Sequence, residues 1–190
     1  MTRAPAATAP LRAQPPAAAG RAAQRRLEAA SALFTLAVII HNSDHLRRGT
    51  DKLTPAVFWV GMAGILVEVG IVLAIYSRHR LAPAAAAIGG LGLAAGYVQV
   101  HVLPRNSFLS DSFTSSTHVS ALSWFAASFE IAAALELAAA GFAAVAARGG
   151  WSNRGRSAPA RPRRLLHPVP LVMAASQSAG LALALVQAYA

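Results

Sequence analysis

A chain of 190 residues that is 55% hydrophobic and only 13% charged, with mean hydropathy +0.46, falls outside the composition of water-soluble domains, where about 25% of residues are charged. The absence of cysteine excludes disulfides, thiolate metal sites, iron–sulfur clusters and covalent c-type haem, so any metal must be held by His, Asp or Glu. The net charge of +10 flanks apolar runs and belongs to no nucleic-acid-binding motif, so it reads as a topology signal for a lipid bilayer partner, with no nucleic acid.

Residues 1–24 are Ala, Pro and scattered Arg, a low-complexity arm that buries too little surface to order itself. Arg21, Arg25 and Arg26 then precede the first apolar run. A basic patch before an apolar segment is also how a signal peptide begins, but no small-x-small site follows Ile40, so an uncleaved first span over about residues 25–46 is expected. The second span opens at Thr54-Pro55, an N-cap followed by proline at the first helical position, and runs from Ala56 to about Tyr76. Arg78, His79 and Arg80 close it.

The third span starts near Pro83 and ends at His101-Val102-Leu103-Pro104. Gly89, Gly92 and Gly96 share one of its faces, and Gly92 with Gly96 forms a GxxxG pair. Such a face is expected to be a packing seam, for a neighbouring helix, a second copy of the chain or a membrane partner. The fourth span covers about His118 to Ala147. It exceeds the ~20 residues a bilayer needs, so it should tilt or project. Residues 148–170 form a basic linker. The segment 171–190 is apolar but carries Ser176, Gln177, Ser178 and Gln187, which fits a fifth span or an interfacial helix. The expected fold is therefore all-α: an integral membrane helical bundle with four transmembrane helices and a C-terminal fifth helix.

Orientation follows from the basic residues. Five lie in the N-terminal arm, two in the loop at 77–82 and six in the linker at 148–164; only Arg47, Arg48, Lys52 and Arg105 fall on the other side. The positive-inside rule then puts the N-terminus in the cytoplasm and the His41–Arg48 stretch outside, in a multi-pass membrane protein.

This topology gathers polar residues that are distant in sequence. His41 and His45 end the first span, His101 ends the third and His118 starts the fourth, all in the outer layer, with Asp44 and Asp111 nearby. His41 and His45 differ by about 40° around a helix, so both can face one point. Neutral imidazole is the commonest ligand for zinc, copper and iron, and carboxylates can complete such a shell. The group therefore fits a metal ion or a b-type haem. It equally fits a hydrogen-bonded cluster at the membrane interface, and on an ideal helix His101 lies about 120–180° from the glycine face, toward another neighbour or lipid. Deeper in the membrane stand Glu68 and Glu130. Glu130 shares a face with Ser123, Ala127, Ala134 and Gly141, a small-residue stripe suited to close packing. A carboxyl at that depth is costly and should face the bundle interior. Glu68 and Glu130 thus fit a proton or cation relay, or a pair of interhelical hydrogen bonds. Glu136, nearer the cytoplasmic side, is placed to snorkel.

The motifs His41-x-x-Asp44-His45-x-Arg47-Arg48-Gly49, His101-Val-Leu-Pro104, Ser110-Asp111 and Ser123-Trp124 resemble those of small, uncharacterised multi-span membrane proteins of high-GC actinobacteria. The resemblance covers about residues 30–140. It implies topology and source and carries no activity. Three functions remain open: a metal- or haem-binding membrane protein, a small proton-coupled transporter using Glu68 and Glu130, and a structural or accessory subunit. Nothing resembles a Ser-His-Asp spacing, H-E-x-x-H, a P-loop or G-x-G-x-x-G, so an enzyme is the least supported class.

Overall fold

The computed structural model describes residues 16–105, 107–149 and 167–189. The arm through residue 15 and the linker from 150 to 166, which carries five of its six arginines, lie outside the described residues. The described chain is helical with no strand: α1 (Pro16–Arg48), a 3-10 turn (Thr50–Lys52), α2 (Pro55–Tyr76), α3 (Ala82–Tyr97) continued by a π-helical turn (Val98–Val102), α4 (Ala121–Ala147) and α5 (Pro168–Tyr189).

Alanine is the strongest helix former, and the alanines before Arg25 carry helix back to Pro16. Residues 16–24, expected in a disordered arm, are thus helical. Along α1 the residues Leu27, Ala30, Phe34, Ala37 and Val38 are buried, at the spacing of one helical stripe. The same stripe continues into His41 and Asp44, both 4% exposed. The polar site is therefore a direct extension of the apolar core.

Four helices are long and apolar enough to cross a membrane: α2, α3 with its π turn, α4, and α5. The C-terminal segment thus qualifies by length and composition. α1, expected as the first span, does not, because Arg25-Arg26 and the His41–Arg48 stretch bracket a short apolar run. It instead packs along α4, with α5 and α2 also against it.

The α3–α4 seam differs from the expected one. A Cβ on Gly90 would lie 2.7 Å from the Ala134 carbonyl oxygen, and one on Gly141 would lie 2.8 Å from that of Pro83. These two glycines let the helices touch backbone to backbone. Gly92 and Gly96 have nothing within 4 Å of such a Cβ, and Gly89 faces the Ile71 side chain of α2. The GxxxG pair therefore packs on no described helix; it opens onto a cavity. The small-residue stripe on α4 is buried throughout, with Ser123, Ala127, Glu130, Ala134 and Gly141 all inside.

Polar ties fix the order of the ends. At one end Arg26 bonds Glu136 at 3.0 Å and Arg78 pairs with Glu28 at 3.6 Å. At the other, Arg47 donates to Ser120 at 3.0 Å and to Ser123 at 3.1 Å. α1 and α4 are thus antiparallel. α5 runs parallel to α1, as three contacts show: Thr35 to Met173 at 3.4 Å, Asn42 to Gln177 at 2.9 Å and Thr50 Oγ1 to Gln187 at 3.0 Å.

Candidate metal centre and membrane cavity

Three of the four expected histidines converge. His41, His45 and His101 each offer a ring nitrogen within 4.8 Å of the others. The Nε2 atoms of His41 and His45 are 2.9 Å apart, and the His101 ring centroid lies 4.8 Å from that of His41 and 5.4 Å from that of His45. His118 is not brought in. Ser120 caps α4, accepting from the Ser123 N–H at 3.2 Å, so His118 falls before the helix, exposed in the loop.

The π turn explains why His101 faces inward and not lipid. Its hydrogen bond from the Leu103 N–H to the Val98 carbonyl at 3.0 Å spans five residues, so each residue advances less around the axis than in an α-helix. The ideal-helix angle does not hold there, and His101 is 2% exposed. The following loop then folds over it. The Asp111 N–H donates to the Val100 carbonyl at 3.0 Å and the Phe113 N–H to the His101 carbonyl at 2.8 Å. Phe113, 3% exposed, lies against the His101 ring at 4.7 Å and beneath the Arg48 guanidinium at 5.1 Å.

Asp44 and Asp111 serve arginine. Asp44 accepts from Arg47 at 2.6 Å, Arg48 at 2.9 Å and Ser123 at 3.2 Å, which occupies both of its oxygens. Asp111 accepts from Arg48 at 3.0 Å. Its carboxylate lies 3.6 Å from His101 Nδ1, which also approaches the Asp111 carbonyl at 3.4 Å. Neither aspartate points a free carboxylate at the imidazole cluster; Asp111 orients His101.

The donors fix the ring tautomers. Arginine has only donors, so His45 Nδ1 accepts from Arg48 at 3.0 Å. The neutral His45 ring then carries its proton on Nε2 and donates it to His41 Nε2. His41 keeps its own proton on Nδ1, which faces Glu130 Oε2 at 3.4 Å. Beyond Glu130 stands Tyr97, whose hydroxyl donates to Glu68. The residues that run from the rim to the interior are thus Arg48, His45, His41, Glu130, Tyr97 and Glu68.

Tyr97 and Phe113 were not singled out from the sequence, and Arg48 was read there as a topology charge and part of a motif, not as a partner of His45. Tyr97 had a signal: it precedes His101 by four residues and is the one phenol in its span. Phe113 had none, because its burial depends on the fold of an irregular loop.

His41, His45, His101, Tyr97, Glu68 and Glu130 line one side of a partly open cavity of about 300 Å³ between α1, α2, α3 and α5. Its other walls are mainly apolar, including Phe58, Ile65, Leu93 and Leu181, with Gly61, Gly64, Gly92 and Gly96 between them. An apolar chamber with convergent polar groups is the usual form of a small-ligand site.

No family model, no curated protein and no solved structure matches the chain.

Proposed function

We propose that the protein binds a transition-metal ion of the zinc or copper class through His41, His45 and His101. The convergence of three imidazoles in a chain without cysteine carries this reading. Ligand nitrogens around one such ion sit about 2.0–2.1 Å from it, hence roughly 3–4 Å from one another. The His41–His45 separation of 2.9 Å is already close to that, and His101 needs a shift of about an ångström, within the usual adjustment on binding. Metal-bound histidines donate their second nitrogen to a carboxylate or carbonyl, a role open to Glu130 for His41 and to Asp111 for His101. His45 is different: Arg48 must turn away from it, toward the two aspartates that Arg48 already holds. The cavity faces the ion's remaining position. A b-type haem fits poorly, because two axial ligands approach iron from opposite faces of the ring, while His41 and His45 lie one turn apart on a single helix.

Proton-coupled transport through Glu68 and Glu130 is the second reading, favoured by the ordered run from Arg48 to Glu68. The cytoplasmic N-terminus rests on the charge count, and the bacterial cell membrane and an actinobacterial origin on the motif resemblance.

The test is metal stoichiometry of the purified protein dialysed against zinc. One equivalent is expected. His45→Ala and His101→Ala should each weaken binding at least tenfold, and His118→Ala should leave it unchanged. Sub-stoichiometric metal in the parent protein, or equal loss in His118→Ala, refutes the proposal; a Soret band would favour haem.

A further inference from the structure

The chain has seven acidic residues. Four meet arginine: Glu28, Asp44, Asp111 and Glu136. Asp51 is exposed at the surface. Glu68 and Glu130 stand apart from these five. They are 4% and 1% exposed, and among the described residues no arginine or lysine is paired with either. Each has one carboxyl oxygen, Oε2, that is buried and without a hydrogen-bond partner. For Glu130 that oxygen lies 3.4 Å from His41 Nδ1 without the alignment of a hydrogen bond. Among the described residues Glu68 has no ion-pair partner at all.

An unpartnered buried oxygen costs about 1–3 kcal/mol, more when charged. Both residues line the cavity, so a ligand held there can supply the missing donors. Its volume, about 300 Å³, is roughly twice the ~150 Å³ that holds a benzene ring in an apolar protein cavity. The space exists because Gly61, Gly64, Gly92 and Gly96 carry no side chains, and a Cβ on any of them would meet nothing within 4 Å. Gln177 on α5 also lines the cavity, and its Nε2 is buried and unpartnered.

We propose that the cavity binds a hydrophobic amine, a compact aromatic or alicyclic body bearing one primary ammonium group. The ammonium brings three donors and a positive charge to two acids that have no cation of their own. The apolar walls take the body, and Gln177 can donate to an oxygen on it. A neutral carbonyl ligand would add an acceptor beside oxygens already short of donors. A bare divalent cation would find two carboxyls and a phenol, too few oxygens for the six or more that hard cations take. This inference goes beyond the metal reading, because Glu68 is no partner of the three imidazoles.

The test uses the full chain in lipid nanodiscs with 1-naphthylmethylamine as probe, its neutral counterpart 1-naphthylmethanol as control, and empty nanodiscs as blank. The amine is expected to bind saturably and at least tenfold more tightly than the alcohol. Glu68→Gln, which keeps the side-chain shape, should weaken the amine at least tenfold and leave both the alcohol and zinc uptake unchanged. Gly92→Leu, which fills the cavity without touching a carboxyl, should abolish binding of both probes. Equal affinity for amine and alcohol overturns the proposal, as does a Glu68→Gln variant that keeps the preference. A parent protein that binds no zinc yet prefers the amine, with that preference lost in Glu68→Gln, would sink the metal reading alone.

Discussion

Replacing Gly141 with alanine tests the helix seam that positions the site. An alanine Cβ there would sit 2.8 Å from the Pro83 carbonyl oxygen and closer still to the Ala87 backbone nitrogen. Both are backbone atoms, so no rotamer change relieves the clash. Restoring ordinary contact at about 3.5 Å requires α3 and α4 to part by at least ~0.7 Å. A gap of that size forfeits a quarter to a half of each dispersion contact along the seam. Overpacking of this kind costs about 1–3 kcal/mol, partly offset by the ~1 kcal/mol that alanine gains over glycine within a helix. Gly92→Ala meets nothing within 4 Å, so only the helix gain remains. The helix gain is common to both, so the two substitutions should differ by the overpacking cost, about 1–3 kcal/mol, with Gly141→Ala the less stable. Reversible unfolding of both variants in mixed micelles measures the difference. Greater destabilisation by Gly92→Ala than by Gly141→Ala would return the seam to the GxxxG face and refute the packing described here.

Arg48→Gln removes a positive charge and the donor on His45 Nδ1; zinc affinity measured against a chelating dye should rise roughly tenfold, and a fall would show that Arg48 builds the site instead of guarding it. Phe113→Ala uncovers His101, so its acylation by diethyl pyrocarbonate should speed up severalfold, with a stability loss of up to about 3 kcal/mol; unchanged acylation would mean the loop does not shield the ring. Gln187→Ala removes the partner of the Thr50 N–H and hydroxyl and should loosen α5 by about 1–2 kcal/mol, read as faster proteolysis in the linker before it. With the N-terminus cytoplasmic, an impermeant thiol reagent added outside intact cells should label Ser107→Cys and spare His79→Cys; the opposite pattern inverts the topology.

Several elements were legible because local chemistry decides them. Thr54-Pro55 starts a helix wherever it stands before an apolar run, and the Thr54 hydroxyl does accept from the Val57 N–H at 3.2 Å. The spacing of His41 and His45 places both on one face of any helix. The stripe from Ser123 to Gly141 is buried as its small residues imply. Other features depend on what lies across the bundle. Whether a glycine is a contact or a vacancy is set by the opposing helix, which is why Gly90 and Gly141 form the seam while Gly92 and Gly96 line a chamber. His101 was misaimed by the assumption of an ideal helix, since a five-residue turn leaves no mark in composition. His118 was drawn into the cluster by an apolar run that continues past the real cap at Ser120. Asp44 and Asp111 looked like ligands because the arginines beside them in the fold are their preferred partners.

The parallel docking of α5 on α1 has a consequence for biogenesis. α5 supplies one wall of the chamber through Gln177, Gly180, Leu181 and Ala184, and it follows the other four described helices along the chain. Until it arrives, the wall bearing His41, Glu68 and Glu130 is open on that side to whatever surrounds the nascent bundle. Docking of α5 therefore completes the chamber on that side, and the contacts of Asn42 with Gln177 and of Thr50 with Gln187 hold the helix in place there.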